Sequence, residues 1–125
     1  MHRYRDLEIW KSSRKFCSSI YKTTTKFPEV EKFGLISQLR RAAVSVPSNI
    51  AEGSAKSSDK DFLRFLEISL GSCFEMETQL LVSSDVGFLS QVDLDELMKE
   101  LERNIQMISK FMSYLRNKVD SSIVR

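Results

Sequence analysis

The stretch from Gln38 to Gly53 reads QLRRAAVSVPSNIAEG, and it decides the fold. Its apolar residues recur every three or four positions and lie on one arc, as in an amphipathic helix. With the residue just upstream, they are Leu35, Leu39, Ala42, Ala43, Val46 and Ile50. Pro47 removes a backbone donor inside this arc and crowds the carbonyl of Ala43. The helix must therefore kink near Pro47 or end there and restart, and the kink is favoured because Ile50 and Ala51 continue the arc.

The same periodicity extends outward into three more segments. The predicted helices cover about residues 7–27, 34–52, 59–83 and 93–119. Ser58 and Asp93 are predicted N-caps, and Gly53 is a predicted left-handed C-cap. Short connections between long amphipathic helices favour antiparallel neighbours. The sequence therefore predicts one all-α domain over residues 1–125, an antiparallel up-down-up-down four-helix bundle whose second helix is kinked near Pro47.

The charge is small in total and uneven along the chain. The formal net charge is +2, but residues 1–64 hold 13 Lys and Arg against 7 Asp and Glu, whereas residues 65–125 hold 6 against 10. A basic first half is typical of a face that binds polyanions. It is equally typical of two helix pairs that attract each other, and both interpretations stay open at this point.

Several classes of function lack the residues they need. His2 is the only histidine and lies at the terminus, so the Cys17 and Cys73 thiols have no base beside them. The chain has neither the Glu-x-x-His motif of di-metal bundles nor a phosphate-binding loop. We expect no enzyme activity, no metal and no cofactor. With no signal peptide and no apolar run of about 20 residues, we expect a cytoplasmic protein that does not cross the membrane.

A row of polar side chains borders the apolar arc of the second helix. The row consists of Gln38, Arg41, Ser45, Asn49 and Glu52. Ser72, Glu75 and Gln79 form a similar row on the third helix, and we expect the two rows to meet as a structural network. In it Arg41 pairs with Glu75, and Asn49 satisfies backbone freed by Pro47. The alternative is that the rows bind a ligand. Arg14, Lys15 and Arg40 point elsewhere, as surface cations.

Several segments together resemble one family. They are DLEIWK from Asp6, FPE from Phe27, FGLISQLRRAAVSVPSNIAEG from Phe33, FLRFL from Phe62 and GSCFE from Gly71. They resemble the four-helix-bundle proteins of the 23S rRNA intervening sequence type. The resemblance implies a ring-like homopentamer. It also implies a relation in fold to an accessory protein of diversity-generating retroelements, which engages nucleic acid and a reverse transcriptase through a basic pentamer surface.

The sequence and the resemblance lead to one functional hypothesis and one alternative. The hypothesis is a non-enzymatic, oligomeric binding module that engages structured RNA, or DNA, through Arg14, Lys15 and Arg40. Such phosphate contacts give strong salt dependence and little sequence preference. The alternative is an adaptor whose partner is another protein. It rests on apolar residues outside the inward stripes, namely Ile9, Phe16, Val44, Phe65, Ile68, Met76 and Met107.

Overall fold

The computed structural model describes the backbone of residues 2–124 and the side chains of residues 2–121. It contains four helices: α1 (Glu8–Thr24), α2 (Leu35–Ser54), α3 (Asp59–Asp85) and α4 (Gln91–Val124). Short 3-10 turns at Tyr4–Asp6 and Glu29–Glu31 precede α1 and α2. These residues contain no strand, which confirms the all-helical prediction, and none of their helices is long and apolar enough to cross a membrane.

The four helices pack side by side around one core. Each helix contacts the next along the chain, and α1 also contacts α4, whereas the backbones of α1 and α3 lie diagonally opposite and do not approach each other closely in the described part of the chain. The core centres on side chains with no measurable exposure, namely Ile20, Leu39, Ile50, Leu66, Leu80, Leu101, Ile108 and Leu115. Arg41 early in α2 meets Glu75 late in α3, and Gly53 late in α2 meets Phe62 early in α3, which is the sense of antiparallel packing.

The helix ends follow local hydroxyl groups. The Ser58 Oγ accepts a hydrogen bond from the Asp61 N–H at 3.1 Å, as predicted for the N-cap of α3. At α4 the cap is Ser90 and not Asp93, because the Ser90 Oγ accepts from the Asp93 N–H at 3.1 Å. The predicted cap therefore lies inside the first turn. A sequence of several polar residues offers more than one cap, and the structure uses the first.

Gly53 does not have its predicted role. It lies inside α2 and is buried, and the described residues contain a positive φ only at Gly87, which follows α3. A Cβ on Gly53 would lie 2.7 Å from the Cβ of Phe65 and 2.8 Å from Cδ1 of Phe62. The glycine is therefore required by the close approach of α2 and α3, and not by a turn.

Helix α2 runs through Pro47 without interruption, so the end-and-restart alternative is wrong. The kink near Pro47 stays a prediction. The Asn49 amide does not satisfy the Ala43 carbonyl that Pro47 leaves without its usual donor. It donates instead to the carbonyl of Ser45 at 2.9 Å, one turn before it, because that oxygen lies within reach of a side chain at i+4. From α3, the buried Ser69 hydroxyl donates to the Val46 carbonyl at 2.9 Å.

Candidate nucleic-acid interface on the first helix

The rotation of α1 about its axis decides which side chains face outward. The residues that α1 buries are Ile9, Ser13, Phe16, Ile20 and Thr24. The periodicity of the sequence predicts an inward stripe of Trp10, Cys17, Ile20, Tyr21 and Thr24. Ile20 and Thr24 are buried as predicted, but the other three are not, so the observed core face is turned from the predicted one by about 60°. The prediction failed because Trp10 and Tyr21 are large but amphipathic, and such rings pack at the border of a core with their polar edges toward water.

With this face of α1 buried, a run of cations on the opposite face points outward. Lys11, Arg14, Lys15 and Lys22 are all exposed, and together they span about 17 Å of helix. Lys26 is also exposed, just after the helix ends. We call these five residues the basic strip. The sequence analysis identified Arg14 and Lys15 but missed Lys11, Lys22 and Lys26. The signal that would have found them is the absence of any Asp or Glu between residues 9 and 28.

The cations of the basic strip are almost free of carboxylates. Lys11 lies 3.5 Å from Glu8, an exposed pair of the kind that contributes little energy. In the described part of the chain, no carboxylate lies within 4 Å of the other four cations. The nearby acid on the α4 side is Glu100, which accepts a hydrogen bond from Ser19 at 3.3 Å. The strip therefore presents positive charge that the protein itself does not neutralise.

Arg40 lies beside the end of α1, but it is already engaged. Its Nε donates to Thr24 Oγ1 at 2.9 Å, and its Nη2 donates to the Tyr21 carbonyl at 3.4 Å. The guanidinium carbon lies 4.6 Å from the centre of the Tyr21 ring, in cation–π geometry. A cation at this position also complements the partial negative charge at a helix C-terminus. Arg40 therefore joins α2 to α1, and Arg14 and Lys15 have more freedom to contact a ligand.

The polar row of α2 meets α3 at two points. The Arg41 Nη2 lies 3.4 Å from Glu75 Oε2, and both side chains are largely exposed. One turn deeper, the hydroxyl of Ser72 donates to that of Ser45 at 3.0 Å, and the Asn49 amide lies 3.0 Å from the same Ser45 oxygen. These contacts form a small network between two helices, as the structural interpretation predicts.

The ends of that row do not join the network. Gln38 and Glu52 are exposed, and among the described side chains neither has a hydrogen-bond partner. The row therefore consists of a packed centre, Ser45 and Asn49, between solvated ends. The packed centre supports the structural interpretation of the row, which stays a prediction.

The two thiols are poor nucleophiles. Burial raises the pKa of the Cys73 thiol to about 12, and it also raises the pKa of half-buried Cys17. Both sulfurs are therefore protonated at neutral pH, whereas thiol catalysis requires the thiolate. Among the described residues, no three His, Cys, Asp or Glu side chains are grouped closely enough to hold a metal ion. The expectation that the protein is not an enzyme stays a prediction.

Two comparisons place the chain among known proteins. The sequence model of the 23S rRNA-intervening sequence protein family matches residues 5–110. A crystal structure of a protein of unknown function from Bacteroides thetaiotaomicron, of the S23 ribosomal protein family, has a similar fold. Its TM-score is 0.75 at 20% sequence identity, over 83% of this chain and 97% of that one. At that identity the likeness concerns the fold alone. No curated protein matches the sequence significantly.

Proposed function

The chain belongs to the family of 23S rRNA-intervening sequence proteins, and we propose that it is a non-enzymatic module that binds structured RNA through the basic strip of α1. One observation carries the proposal: five outward cations, from Lys11 to Lys26, lie on a segment that contains no carboxylate. Lys and Arg contacts to phosphates supply most of the affinity of such proteins and carry little sequence information. A duplex stem of RNA suits the strip, because proteins recognise A-form RNA largely by shape and backbone.

The proposal includes self-assembly, in the form of the homopentamer that the resemblance implies. A closed ring repeats each subunit's cations by symmetry. Several weak sites then act on one RNA molecule, and the linked contacts raise the apparent affinity well above that of a single subunit. Assembly therefore reconciles measurable binding with a net charge of only +2 per chain.

A titration of a dye-labelled RNA hairpin, followed by fluorescence anisotropy at about 50 mM salt, tests the proposal. We expect micromolar or tighter binding by the wild type. The double variant Lys15→Glu/Lys22→Glu should bind at least about tenfold more weakly, because it reverses two phosphate contacts. The matched control, Lys60→Glu/Arg64→Glu, changes the net charge equally but acts on α3, and we expect it to bind like the wild type. Arg40 is left unchanged because it holds α1 to α2.

Absence of binding to RNA and DNA in this titration would contradict the proposal and favour a protein partner. One observation supports that alternative. Val30 is 85% exposed and Phe33 is 89% exposed, both in the connection between α1 and α2, while Val82 and Val86 near the end of α3 are also exposed. The original reasons for the alternative are weaker, since Ile9, Phe16 and Met76 are all buried in the core.

Phe33→Ser separates the two functions. Loss of self-assembly or of a protein partner with an intact fold would show that this end of the bundle is an interface. If Phe33→Ser is monomeric and binds RNA more weakly than the wild type, the result agrees with a basic strip whose RNA affinity is raised by self-assembly. Full RNA affinity without assembly would remove the multivalent part of the proposal.

A further inference from the structure

A cleft with both aromatic and cationic walls lies at the start of α1. Tyr4, Arg5, Trp10, Lys11 and Arg14 line it, and its volume is about 640 Å³. The rings of Tyr4 and Trp10 meet edge to face, with their centres 5.1 Å apart and their planes at 68°. Tyr4 lies in the 3-10 turn that leads directly into α1, and Trp10 lies near the start of α1, so the turn at the helix entry sets the two rings against each other.

Each ring has a guanidinium beside it. The Arg14 Cζ lies 5.2 Å from the centre of the Trp10 ring, and the Arg5 Cζ lies 5.9 Å from that of Tyr4. Cation–π contacts of this kind hold a guanidinium in place without using up its N–H donors. Neither arginine has a carboxylate within 4 Å in the described part of the chain. Donors that suit phosphate therefore stand directly beside aromatic surface.

We propose that this cleft takes one unpaired nucleotide of the bound RNA, with its base against Tyr4 and Trp10 and its phosphate on Arg5 and Arg14. The inference rests on the proposed function, and it adds a second mode of contact to it. Cations alone would suit any polyanion, and aromatic rings alone would suit any apolar group. Their combination matches a nucleotide, which has a π-face and a phosphate a short distance apart.

The position of the cleft links it to the basic strip. Lys11 and Arg14 belong to both, so an RNA stem held along α1 would bring its end to the cleft. A base inside a duplex has both faces stacked on its neighbours and cannot reach the rings. A single-stranded extension, a bulge or a loop can. We therefore infer that the protein prefers a junction between paired and unpaired RNA to a blunt stem.

Trp10 makes the inference directly measurable, because it is the only tryptophan of the chain. Two hairpins with the same stem, one blunt and one with a short single-stranded extension, are titrated against the full chain. Dye anisotropy reports binding, and the emission of Trp10 reports stacking of a base on the ring. We expect both hairpins to bind, the extended one about tenfold more tightly, and only the extended one to quench Trp10.

Tyr4→Leu should remove the tenfold preference for the extended hairpin and leave the affinity for the blunt one unchanged. The matched control is Tyr114→Leu on α4. Tyr114 is also a tyrosine with a cation over its ring, the Lys118 Nζ at 5.5 Å, and it lies outside the cleft. We expect that control to keep the preference. An equal loss in both variants would overturn the inference.

The other outcomes are distinct. Equal binding of both hairpins with unchanged Trp10 emission would overturn the cleft and leave the basic strip standing. No change in anisotropy with either hairpin would overturn the proposed function and the cleft with it. A free nucleoside monophosphate is the last arm of the experiment. If it quenches Trp10 as strongly and at the same concentration as the extended hairpin, the cleft is a site for free nucleotides, and the RNA junction inference is wrong.

Discussion

Helices α1 and α3 lie diagonally opposite in the bundle, and they differ in how many of their charged side chains form ion pairs within the chain. The cations of α1 face solvent, and only Lys11 has a carboxylate beside it among the described residues. On α3 three of the six carboxylates are paired: Asp59 lies 3.1 Å from Lys118, Asp61 lies 3.6 Å from Arg64, and Glu75 meets Arg41. Charge that is paired inside the chain supports the fold, and charge left unpaired is available to a partner. The contrast supports the proposal that α1 is the binding side of the bundle.

The largest expected effect concerns the inner face of α3. Gly53→Ala places a methyl group against the Phe62 ring and the Phe65 Cβ, so the ring and the α3 backbone that carries this Cβ would have to shift. We expect a loss of about 2 kcal/mol in the free energy of unfolding. Gly71→Ala is the control, since Gly71 is also helical but has no atom within 4 Å of the new carbon. Alanine should stabilise that position by about 0.5–1 kcal/mol through helix propensity. Urea unfolding measures the change in the free energy of unfolding for both variants. If both variants are stabilised, α2 and α3 are not in close contact at Gly53.

The next effect concerns Arg40, which joins α2 to the end of α1. Arg40→Gln removes the hydrogen bond to Thr24 and the stacking on Tyr21, and we expect it to cost about 1–2 kcal/mol of stability. Lys22→Gln, on the solvated side of the same helix, should change stability by less than about 0.5 kcal/mol. Thermal unfolding of the two variants decides the point. If Arg40→Gln is as stable as the wild type, Arg40 does not hold α1 to α2 and is as free to contact RNA as the cations of the basic strip.

A smaller effect concerns the acid at the start of α3. Burial favours the protonated form of Asp59, but hydrogen bonds from Lys118 and His2 outweigh it and lower the pKa of the carboxyl below its usual value of 3.8. The stabilisation is therefore present above pH 3.8 and is lost as the pH falls through the lowered pKa. We expect Asp59→Asn to cost at most about 1 kcal/mol at pH 7 and less at acid pH.

Glu67→Gln supplies the control for Asp59. It lies on the same helix, is exposed, and has no cation within 4 Å in the described part of the chain. The urea midpoints of the wild type and Asp59→Asn should differ at pH 7 and become similar at pH 3. The midpoint of Glu67→Gln should stay close to that of the wild type at both pH values. A pH-independent difference for Asp59→Asn would mean that the residue acts through packing and not through charge.

The smallest effect concerns Arg41 and Glu75. Their contact at 3.4 Å has the predicted partners, but the side chains are 73% and 43% exposed. Water screens such a pair, so a double-mutant cycle should give a coupling energy below about 0.5 kcal/mol. A coupling of several kcal/mol would indicate that the pair is buried in the assembled protein, and would sharpen the case for an interface over α2 and α3.

Periodicity was sufficient to predict the helices, but not the way α1 faces. In α2 the apolar residues are small or aliphatic, so the arc of Leu39, Val46 and Ile50 coincides with the buried face. In α1 the predicted stripe included Trp10 and Tyr21, whose size suggested burial and whose polar edges keep them at the border of the core. Lys11, Lys15 and Lys22 point away from both the predicted and the observed face, so the signal for the basic strip is the lack of Asp and Glu around these lysines and not the rotation of the helix.

Contacts between distant segments could not be predicted from spacing. Gly53 resembled a helix terminus, since glycine is common there, and only the approach of Phe62 and Phe65 shows why it is glycine. The cleft of Tyr4 and Trp10 differs, because the two rings are close in sequence and meet through the 3-10 turn before α1, which helical periodicity does not indicate. Residues such as Arg14 could be identified from the sequence, but their surroundings could not.

The salt dependence of RNA binding tests the contrast between α1 and α3 most directly. Affinity for the hairpin is measured from about 50 to 200 mM salt for the wild type, Lys15→Glu/Lys22→Glu and Lys60→Glu/Arg64→Glu. If α1 contacts phosphates, the wild type and the α3 variant should share one steep negative slope of log affinity against log salt. The α1 variant should lose at least about one unit of that slope. Equal slopes for all three proteins, or no binding by the wild type, would contradict the account.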